Sequence, residues 1–159
     1  MTATAALTTD LKAQVLTLEN DLRDRVEADP ELKARWQAEH RHAIEANRTS
    51  AAWVSFRDDR VTQAAVAWVL TSVFIRFCED NALVSPVWIA GPERRRQEAL
   101  DAQLTYFREH PEHTDREWLL QAIHHLKKLP ATAALVDDHS PLWQVQPSGQ
   151  AVTALLDFW

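Results

Sequence analysis

The chain has 159 residues, of which 46% are hydrophobic, and a formal net charge of −6. That length suits one domain with a substantial core. Only two glycines are present, Gly91 and Gly149. Phosphate-binding loops and dinucleotide-binding folds need several glycines in one tight turn, and hairpin-rich β folds need turn glycines too. The composition therefore argues against a P-loop, a Rossmann fingerprint, a methyl-donor cofactor loop and a many-stranded barrel, and favours a helical domain.

Cysteine content and charge pattern narrow the class of protein further. The single cysteine, Cys78, excludes an internal disulfide and a multi-cysteine metal site. Residues 1–9 lack the basic segment and apolar run of a signal peptide. Residues 61–75 carry no charge, but a membrane span needs about 20 mainly apolar residues. We therefore predict a cytoplasmic protein without membrane contact, in which this stretch is a buried helix.

The first part of the chain predicts a helical hairpin and then a short helix. Thr9 can cap a first helix to about Asp29, and Asp29-Pro30 can start a second helix to about Asn47. Ser50 can cap the short third helix. The apolar stripe of the first helix is Leu11, Val15, Leu18, Leu22 and Val26, and that of the second is Leu32, Trp36, His40, Ala43 and Ile44.

A fourth helix, which Asp58 or Asp59 can open, is predicted over about 60–81. It is apolar nearly all round, and a helix without a polar face belongs in the centre of a domain. Residues 83–92 interrupt the helical pattern with Pro86, Gly91 and Pro92, which predicts either a packed loop or one short strand.

Three helices and one short helical turn follow the interruption. The first runs from about Pro92 to Glu109, and the second opens with the capping-box pattern Thr114–Glu117 and ends near Leu129. The inward positions of this second helix are predicted to be Trp118, Leu119, Ala122, Ile123 and Leu126. A helical turn over 131–136 and a loop over 137–147 precede a last helix capped by Ser148.

These elements predict an all-α orthogonal bundle of six to eight helices around the central helix at about 60–81. We expect a single helical domain over 1–159, with any sub-boundary in the loop 82–92. The last helix stops on Phe158 and Trp159 without a polar tail. Since natural termini are usually polar and frayed, this suggests a truncation, while the alternative is that Trp159 packs onto the body.

Seven histidines raise the question of a metal site. His40 and His42 lie about 200° apart around a helix, and His124 and His125 about 100° apart, so neither pair can share a small ion. His110 and His113 flank Pro111 and could approach each other, but no His-Glu-x-x-His pattern exists. No metal site is predicted, and a small histidine-metal enzyme is kept only as a third hypothesis. Cys78, in the apolar helix, is predicted to be a buried, inert thiol.

Two short basic segments are candidates for DNA contact. Arg94, Arg95 and Arg96 form the only triple basic run, and Lys127-Lys128 is a weaker one. Three adjacent residues spread over about 200° of a helix, so a solvated face is the alternative. The chain has 17 basic and 23 acidic residues, and a free-standing DNA binder normally shows a strong basic patch. Any DNA contact is therefore expected to be accessory to a stronger site.

Most of the seven tryptophans fall on apolar helix faces and are expected in the core. Trp88 and Trp143 lie in predicted loops, which makes them candidates for a partner surface together with the C-terminal Phe158 and Trp159. A stand-alone helical adaptor that binds another protein is therefore the second functional hypothesis, with Leu155 and Leu156 as further surface residues.

Several segments together resemble a known family. They are residues 61–70, the Arg-Phe-Cys-Glu-Asp-Asn sequence at 76–81, and residues 106–111, 115–120, 129–133, 141–143 and 147–149. Their order and spacing resemble the N-terminal region of the PglX family, the adenine-specific DNA methyltransferases of type 2 bacteriophage-exclusion (BREX, phage growth limitation) systems. The resemblance covers the chain from about Leu11 to Trp159. The sequence at 76–81 is also similar to the helical N-terminal domain of many restriction-modification methyltransferases.

The resemblance implies a parent enzyme that transfers a methyl group from S-adenosylmethionine to the N6 amine of adenine in host DNA. Enzymes of that class flip the target base out of the duplex. Companion phage-defence proteins would use the mark, or the enzyme itself, to block phage.

This chain lacks the catalytic machinery that the resemblance implies. Its seven prolines are never adjacent, so the Asn/Asp-Pro-Pro-aromatic motif is absent, and it has no glycine-rich cofactor loop. No catalytic or cofactor-binding residue is therefore assigned. The favoured hypothesis is a non-catalytic helical N-terminal domain that docks onto the absent methyltransferase domain and contacts DNA or other phage-defence proteins.

Overall fold

The structure is a computed structural model that describes residues 3–159, with side chains from residue 5 onward. Its six α-helices are α1 (Ala3–Ala28), α2 (Pro30–Glu45), α3 (Trp53–Asp80), α4 (Arg96–Glu109), α5 (Asp115–Lys128) and α6 (Gly149–Asp157). Short 3₁₀ helices cover Glu93–Arg95, Ala133–Val136 and Pro141–Trp143. No strand occurs among residues 3–159, so the predicted all-α class and central apolar helix are confirmed.

The hairpin of α1 and α2 forms as predicted, although α1 starts earlier. Thr9 lies inside α1, where its Oγ1 donates to the carbonyl of Ala5 at 3.0 Å, so its predicted capping role is wrong. Asp29 does cap α2, because its Oδ1 accepts from the backbone N–H groups of Glu31 and Leu32, both at 3.0 Å. The predicted stripe of α2 is right for Trp36 and His40, which are buried, and wrong for the exposed Ile44.

The third and fourth predicted helices are one continuous helix, α3. Asp58 was expected to open a new helix, but its Oδ1 accepts from Arg57 Nε at 2.9 Å and from Arg23 Nε at 3.2 Å. Since these partners satisfy the carboxylate, it does not compete for backbone N–H groups, and the helix continues through it. The predicted break and the predicted cap at Ser50 are therefore wrong.

The chain forms two compact units that divide inside α3. Unit 1 comprises Met1–Ala67 and Pro141–Pro147, and unit 2 comprises Trp68–Ser140 and Ser148–Trp159. Segment 82–92, where a sub-boundary was predicted, lies entirely in unit 2, and a single domain over 1–159 stays a prediction. The buried apolar residues of unit 1 include Leu18, Leu22, Val26, Trp36, Val61, Ala64, Leu142 and Val145. Those of unit 2 include Ile75, Cys78, Val87, Trp118, Leu119, Ile123, Leu126, Val152 and Leu155.

The helix starts of unit 2 follow the predicted caps. Glu117 closes a capping box with Thr114, and Ser148 Oγ accepts from the N–H of Ala151 at 3.1 Å. All five residues predicted to face inward on α5 are buried. Segment 83–92 contains no strand and is a packed loop, which was one of the two predicted alternatives.

Helix α3 is the one helix of the described chain that is long and apolar enough to cross a membrane by length and composition. Half of its most apolar window is buried inside the fold. The core helix of a soluble protein passes the same test, so this feature is weak evidence for a membrane span.

Candidate functional site

A buried carboxylate at the end of α3 organises the loop that follows it. Glu79 is fully buried, and its Oε1 accepts from the backbone N–H groups of Trp88 at 2.5 Å and Ile89 at 2.8 Å. Its Oε2 accepts from Ala90 at 3.2 Å and Gly91 at 2.7 Å. Four donors thus surround one carboxylate, and charge-assisted bonds of this kind are strong in a dry environment. Glu79 therefore fixes the backbone of the loop at Trp88.

The Trp88 ring belongs to an aromatic cluster between α4 and α5. Its centroid lies 5.0 Å from that of Trp118, and Trp118 lies 5.3 Å from Tyr106. Trp118 Nε1 donates to the Trp88 carbonyl at 2.9 Å, whereas Trp88 Nε1 is buried with no hydrogen-bond partner among the described residues. These rings border a cleft of about 460 Å³, the Trp88 cleft, which is lined by Pro86, Val87, Trp88, Asp101, Ala102, Thr105, Tyr106, Glu109, Trp118 and Gln121.

A second cleft of unit 2 contains the C-terminal tryptophan. It has a volume of about 360 Å³, is called the Trp159 cleft here, and is lined by Ile89, Ala90, Arg96, Leu100, Gln103, Leu104, Phe107, Asp115, Trp118, Leu156, Asp157 and Trp159. Leu100 and Leu104 lie one helical turn apart on α4 and are 41% and 57% exposed. Large exposed apolar side chains beside a cleft that also contains a few polar groups are typical of binding sites, and this cleft is of mixed polarity.

Trp159 is held in place by hydrogen bonds to α3. Its Nε1 donates to Ser72 Oγ at 3.1 Å, and its carbonyl accepts from Arg76 Nη1 at 3.2 Å. The Phe158 ring packs edge-on against it with 4.9 Å between centroids. Trp159 therefore packs onto unit 2, which was one of the two alternatives for this residue.

The five predicted DNA-contact residues divide into paired and unpaired groups. Arg95 binds Glu98 through Nε at 2.9 Å and Nη2 at 2.7 Å, and Lys127 is paired with Asp138. Hydrogen bonding to Glu98 raises the pKa of Arg95. Arg94, Arg96 and Lys128 are exposed and form no ion pair with any residue in the described part of the chain. Of the five candidates, only these three could bind a phosphate without first breaking an ion pair with a carboxylate.

The predicted partner-surface residues are distributed over both units. Trp88, Phe158 and Trp159 lie in unit 2, and Trp143 lies in unit 1. Trp143 ends a 3₁₀ helix and lines a shallow, mainly polar cleft of about 280 Å³ with Arg25, Asp29, Glu31, Leu32, Arg35, Gln144, Val145 and Gln146. Trp88 and Trp159 instead contribute to mainly apolar or mixed clefts, which makes unit 2 the stronger candidate for a partner surface.

Three of the histidines and the cysteine illustrate how the structure places the residues considered for metal binding or reactivity. His40 is buried, and its Nε2 lies 2.8 Å from the Ala51 carbonyl. His110 and His113 stack with their ring centroids 4.8 Å apart, the one approach that the sequence allowed. Cys78 is 1% exposed, and burial, with a smaller contribution from Glu79, raises the pKa of its thiol. The predicted inert thiol fits this environment because the thiolate is the nucleophilic form.

Two features of these sites had no assigned role in the sequence. Glu79 lies in the sequence at 76–81 that contributes to the family resemblance. The pattern that could have identified it is an acidic residue next to the cysteine of an apolar helix, just before an apolar loop. Leu100, Leu104 and Phe107 follow the spacing i, i+4 and i+7 in the predicted helix over 92–109, which would have identified an apolar face on α4.

The whole chain was compared with family models, solved structures and known proteins. No family model matches the chain, and no solved structure matches it. The chain is 42% identical over 156 residues to the adenine-specific methyltransferase PglX of Streptomyces coelicolor, an alignment that covers 97% of this chain. It spans 13% of the length of that relative. The resemblance found in the sequence is therefore confirmed: along nearly its whole length the chain is homologous to a segment of a PglX adenine-specific methyltransferase, consistent with the N-terminal region of that protein.

Proposed function

We propose that this chain is the non-catalytic helical N-terminal domain of a phage-defence adenine-specific DNA methyltransferase of BREX type 2, and that it docks onto the catalytic part through the Trp159 cleft. The observation that carries the proposal is the pair of exposed leucines on α4, Leu100 and Leu104, beside that cleft. The match to 13% of PglX supports it, since most of such an enzyme lies outside the matched segment.

The energetics of the cleft favour a macromolecular partner. Burying a fully exposed leucine side chain contributes about 1.5 to 3 kcal/mol. Since Leu100 and Leu104 are 41% and 57% exposed, covering both contributes about as much as burying one leucine completely, which is a useful part of a docking energy. Trp159 and Phe107 extend the apolar surface, while Arg96 and Asp157 supply charged groups around it. An apolar centre with a polar rim is the usual composition of a protein–protein interface.

The chemistry is assigned to the parent enzyme, which acts in the cytoplasm with S-adenosylmethionine as methyl donor. The chain has neither a proline pair nor clustered glycines, so its own residues offer no catalytic motif for adenine and no loop for the cofactor. We expect no methyl transfer and no tight S-adenosylmethionine binding by the 159 residues alone. Calorimetry with the cofactor and a radiolabelled methyl-transfer assay would detect either activity and contradict the assignment.

Docking is tested by measuring the affinity of the chain for a PglX methyltransferase from which the homologous segment has been deleted. The double variant Leu100→Glu/Leu104→Glu should weaken binding at least about tenfold, because it places two charges on the apolar face. The matched control is Leu135→Glu, which changes a leucine of unit 2 that is 52% exposed and does not line the cleft. Equal binding of the double variant and the control would refute docking through this cleft.

Accessory DNA contact is a second candidate, favoured by the three unpaired cations Arg94, Arg96 and Lys128. In fluorescence anisotropy with duplex DNA at low salt, replacing all three with alanine should abolish binding. The control variant Arg95→Ala/Lys127→Ala removes two cations that already have carboxylate partners, and it should retain most of the DNA binding of the wild-type chain. Electrostatic binding must also weaken steeply with salt, with a slope of about −0.9 per phosphate contact. Equal loss in both variants, or no binding at low salt, would reject DNA contact.

A further inference from the structure

The connection between α4 and α5 is a tight turn that brings two histidines together. The N–H of His113 donates to the carbonyl of His110 at 3.1 Å, with Pro111 and Glu112 at the two central positions. Proline is favoured at the first central position of such a turn because its ring fixes φ near the required value. The two imidazole rings stack with 4.8 Å between centroids and 16° between planes. The local sequence thus places both rings on the same side of the turn.

Glu112 adds a carboxylate to the two imidazoles. Its Oε1 lies 3.3 Å from His113 Nε2. One potential ligand atom from each of His110, Glu112 and His113 lies within 4.8 Å of the other two. Zinc holds imidazole and carboxylate ligands at about 2.0 to 2.2 Å, so the donors of a tetrahedral site lie about 3.4 Å apart. Because the two imidazole planes are nearly parallel, with 16° between them, the His110 ring and the exposed Glu112 side chain must rotate before the three donor atoms converge on one ion.

Tyr106 provides an independent indication by orienting His113. Its Oη lies 2.7 Å from His113 Nδ1. In the tautomer with the proton on Nδ1, the ring donates to Tyr106 and presents Nε2 toward Glu112. Metal-binding histidines nearly always have such a partner on their second nitrogen, which fixes the ring and its tautomer.

We propose that His110, Glu112 and His113 bind one Zn²⁺ ion, with water in the fourth position and Tyr106 as the positioning residue. Two imidazoles and one carboxylate are a ligand set that zinc uses when it keeps an open coordination position. His110 follows the last residue of α4, and His113 precedes Thr114, the N-cap of α5. The ion therefore clamps the end of one helix to the start of the next. This inference does not depend on the proposed function.

The test is a titration of the 159-residue chain, freed of metal by chelation, with Zn²⁺ in a calorimeter and with Co²⁺ in a visible spectrometer. We expect one ion per chain and an increase in the melting temperature on Zn²⁺ addition. His113→Ala and Glu112→Gln should each weaken Zn²⁺ binding at least about tenfold, and Tyr106→Phe should weaken it about tenfold through loss of the oriented tautomer. The control is His42→Ala, an exposed histidine on α2, which should leave the affinity unchanged.

Two results would overturn the site. One is the absence of stoichiometric Zn²⁺ binding to the wild-type chain. The other is a loss of affinity in His42→Ala as large as that in His113→Ala, which would show nonspecific binding to surface histidines. Glu112→Gln keeps the comparison informative if a histidine variant fails to fold, because Glu112 is an exposed residue whose shape glutamine preserves.

Discussion

The carboxylate of Glu79 and the backbone N–H of Gly91, twelve residues apart, are joined by a 2.7 Å hydrogen bond. Gly91 has a φ of +55°, and a Cβ at this position would lie 2.5 Å from Val87 Cγ1. Only glycine fits that backbone without strain. The scarce glycine is therefore used where the loop closes around the buried carboxylate, and the pair fixes the base of the segment that carries Trp88.

Glu79→Gln is expected to destabilise the chain by about 2 to 4 kcal/mol. Glutamine keeps one acceptor oxygen, but its amide nitrogen would face backbone N–H groups that also need an acceptor. The free energy of unfolding from urea titration measures this effect. The control Asp80→Asn alters the next residue, whose i,i+4 ion pair with Arg76 is on the surface, and should cost less than about 0.5 kcal/mol. Similar losses in both variants would show that the Glu79 network contributes little.

Ala82→Gly is expected to stabilise the chain by about 0.5 to 1 kcal/mol. Ala82 has a φ of +54°, and Leu83 N–H donates to the Cys78 carbonyl at 2.8 Å, as in a Schellman cap at the end of α3. Glycine adopts this left-handed conformation without the penalty that alanine carries. Ala13→Gly, in the regular part of α1, is the matched control and should lower the free energy of unfolding by about 1 kcal/mol. A loss of stability in Ala82→Gly would contradict the cap.

Glu117 makes the stability of unit 2 depend on acidic pH. Burial raises its pKa, but hydrogen bonds from Thr114 and Arg116 outweigh that effect and lower the pKa from its ordinary 4.5 to about 2. A depressed carboxyl pKa contributes stability that is fully present above the unfolded value and is lost as pH falls toward the folded value. The free energy of unfolding of the wild-type chain should therefore exceed that of Glu117→Gln by about 1 to 2 kcal/mol at pH 7. This difference should disappear as the pH falls from 4.5 to about 2.

The same capping box supplies its own control. Thr114→Ala removes the hydroxyl that donates to Glu117 Oε2 at 2.6 Å. Adding Glu117→Gln to Thr114→Ala should then lower the free energy of unfolding by less than the same change does in the wild-type chain, since the two side chains act as a unit. Urea titrations at pH 7 and pH 3 measure both effects. A Glu117→Gln difference that is equal at the two pH values would refute the linkage.

Cys78 should resist thiol reagents in the folded chain. The side chain is buried, and the raised pKa of its thiol keeps it protonated at neutral pH. Labelling with iodoacetamide should be at least a hundredfold slower than in urea. The control Ser55→Cys introduces a thiol at an exposed position of α3, which should react at once in the folded chain. Fast modification of Cys78 under native conditions would mean that unit 2 opens readily around α3.

Local signals predicted much of unit 2 and the α1–α2 hairpin. Asp29-Pro30, the capping box at Thr114 and the cap at Ser148 are confirmed because each acts within a few residues of its own helix start. The inward face of α5 is confirmed for the same reason: its five apolar residues repeat with the period of the helix. The start of α1 was misplaced, since Thr9 has the chemistry of a cap but bonds to a carbonyl within the helix.

The sequence by itself determined the all-α class, the central apolar helix α3 and the helix starts that side-chain caps define, because these depend on composition and short-range spacing. Only the tertiary structure decided that Glu79 is buried by loop residues nine to twelve positions away, that Arg23 pairs with Asp58 inside a continuous α3, and that Leu100 and Leu104 remain exposed beside Trp159. Such contacts join residues that are distant along the chain, so their partners cannot be read from local periodicity. The scarcity of glycine, which argued against nucleotide-binding folds at the outset, leaves glycine at one left-handed position, Gly91, while Asn47 and Ala82 occupy the other two among the described residues.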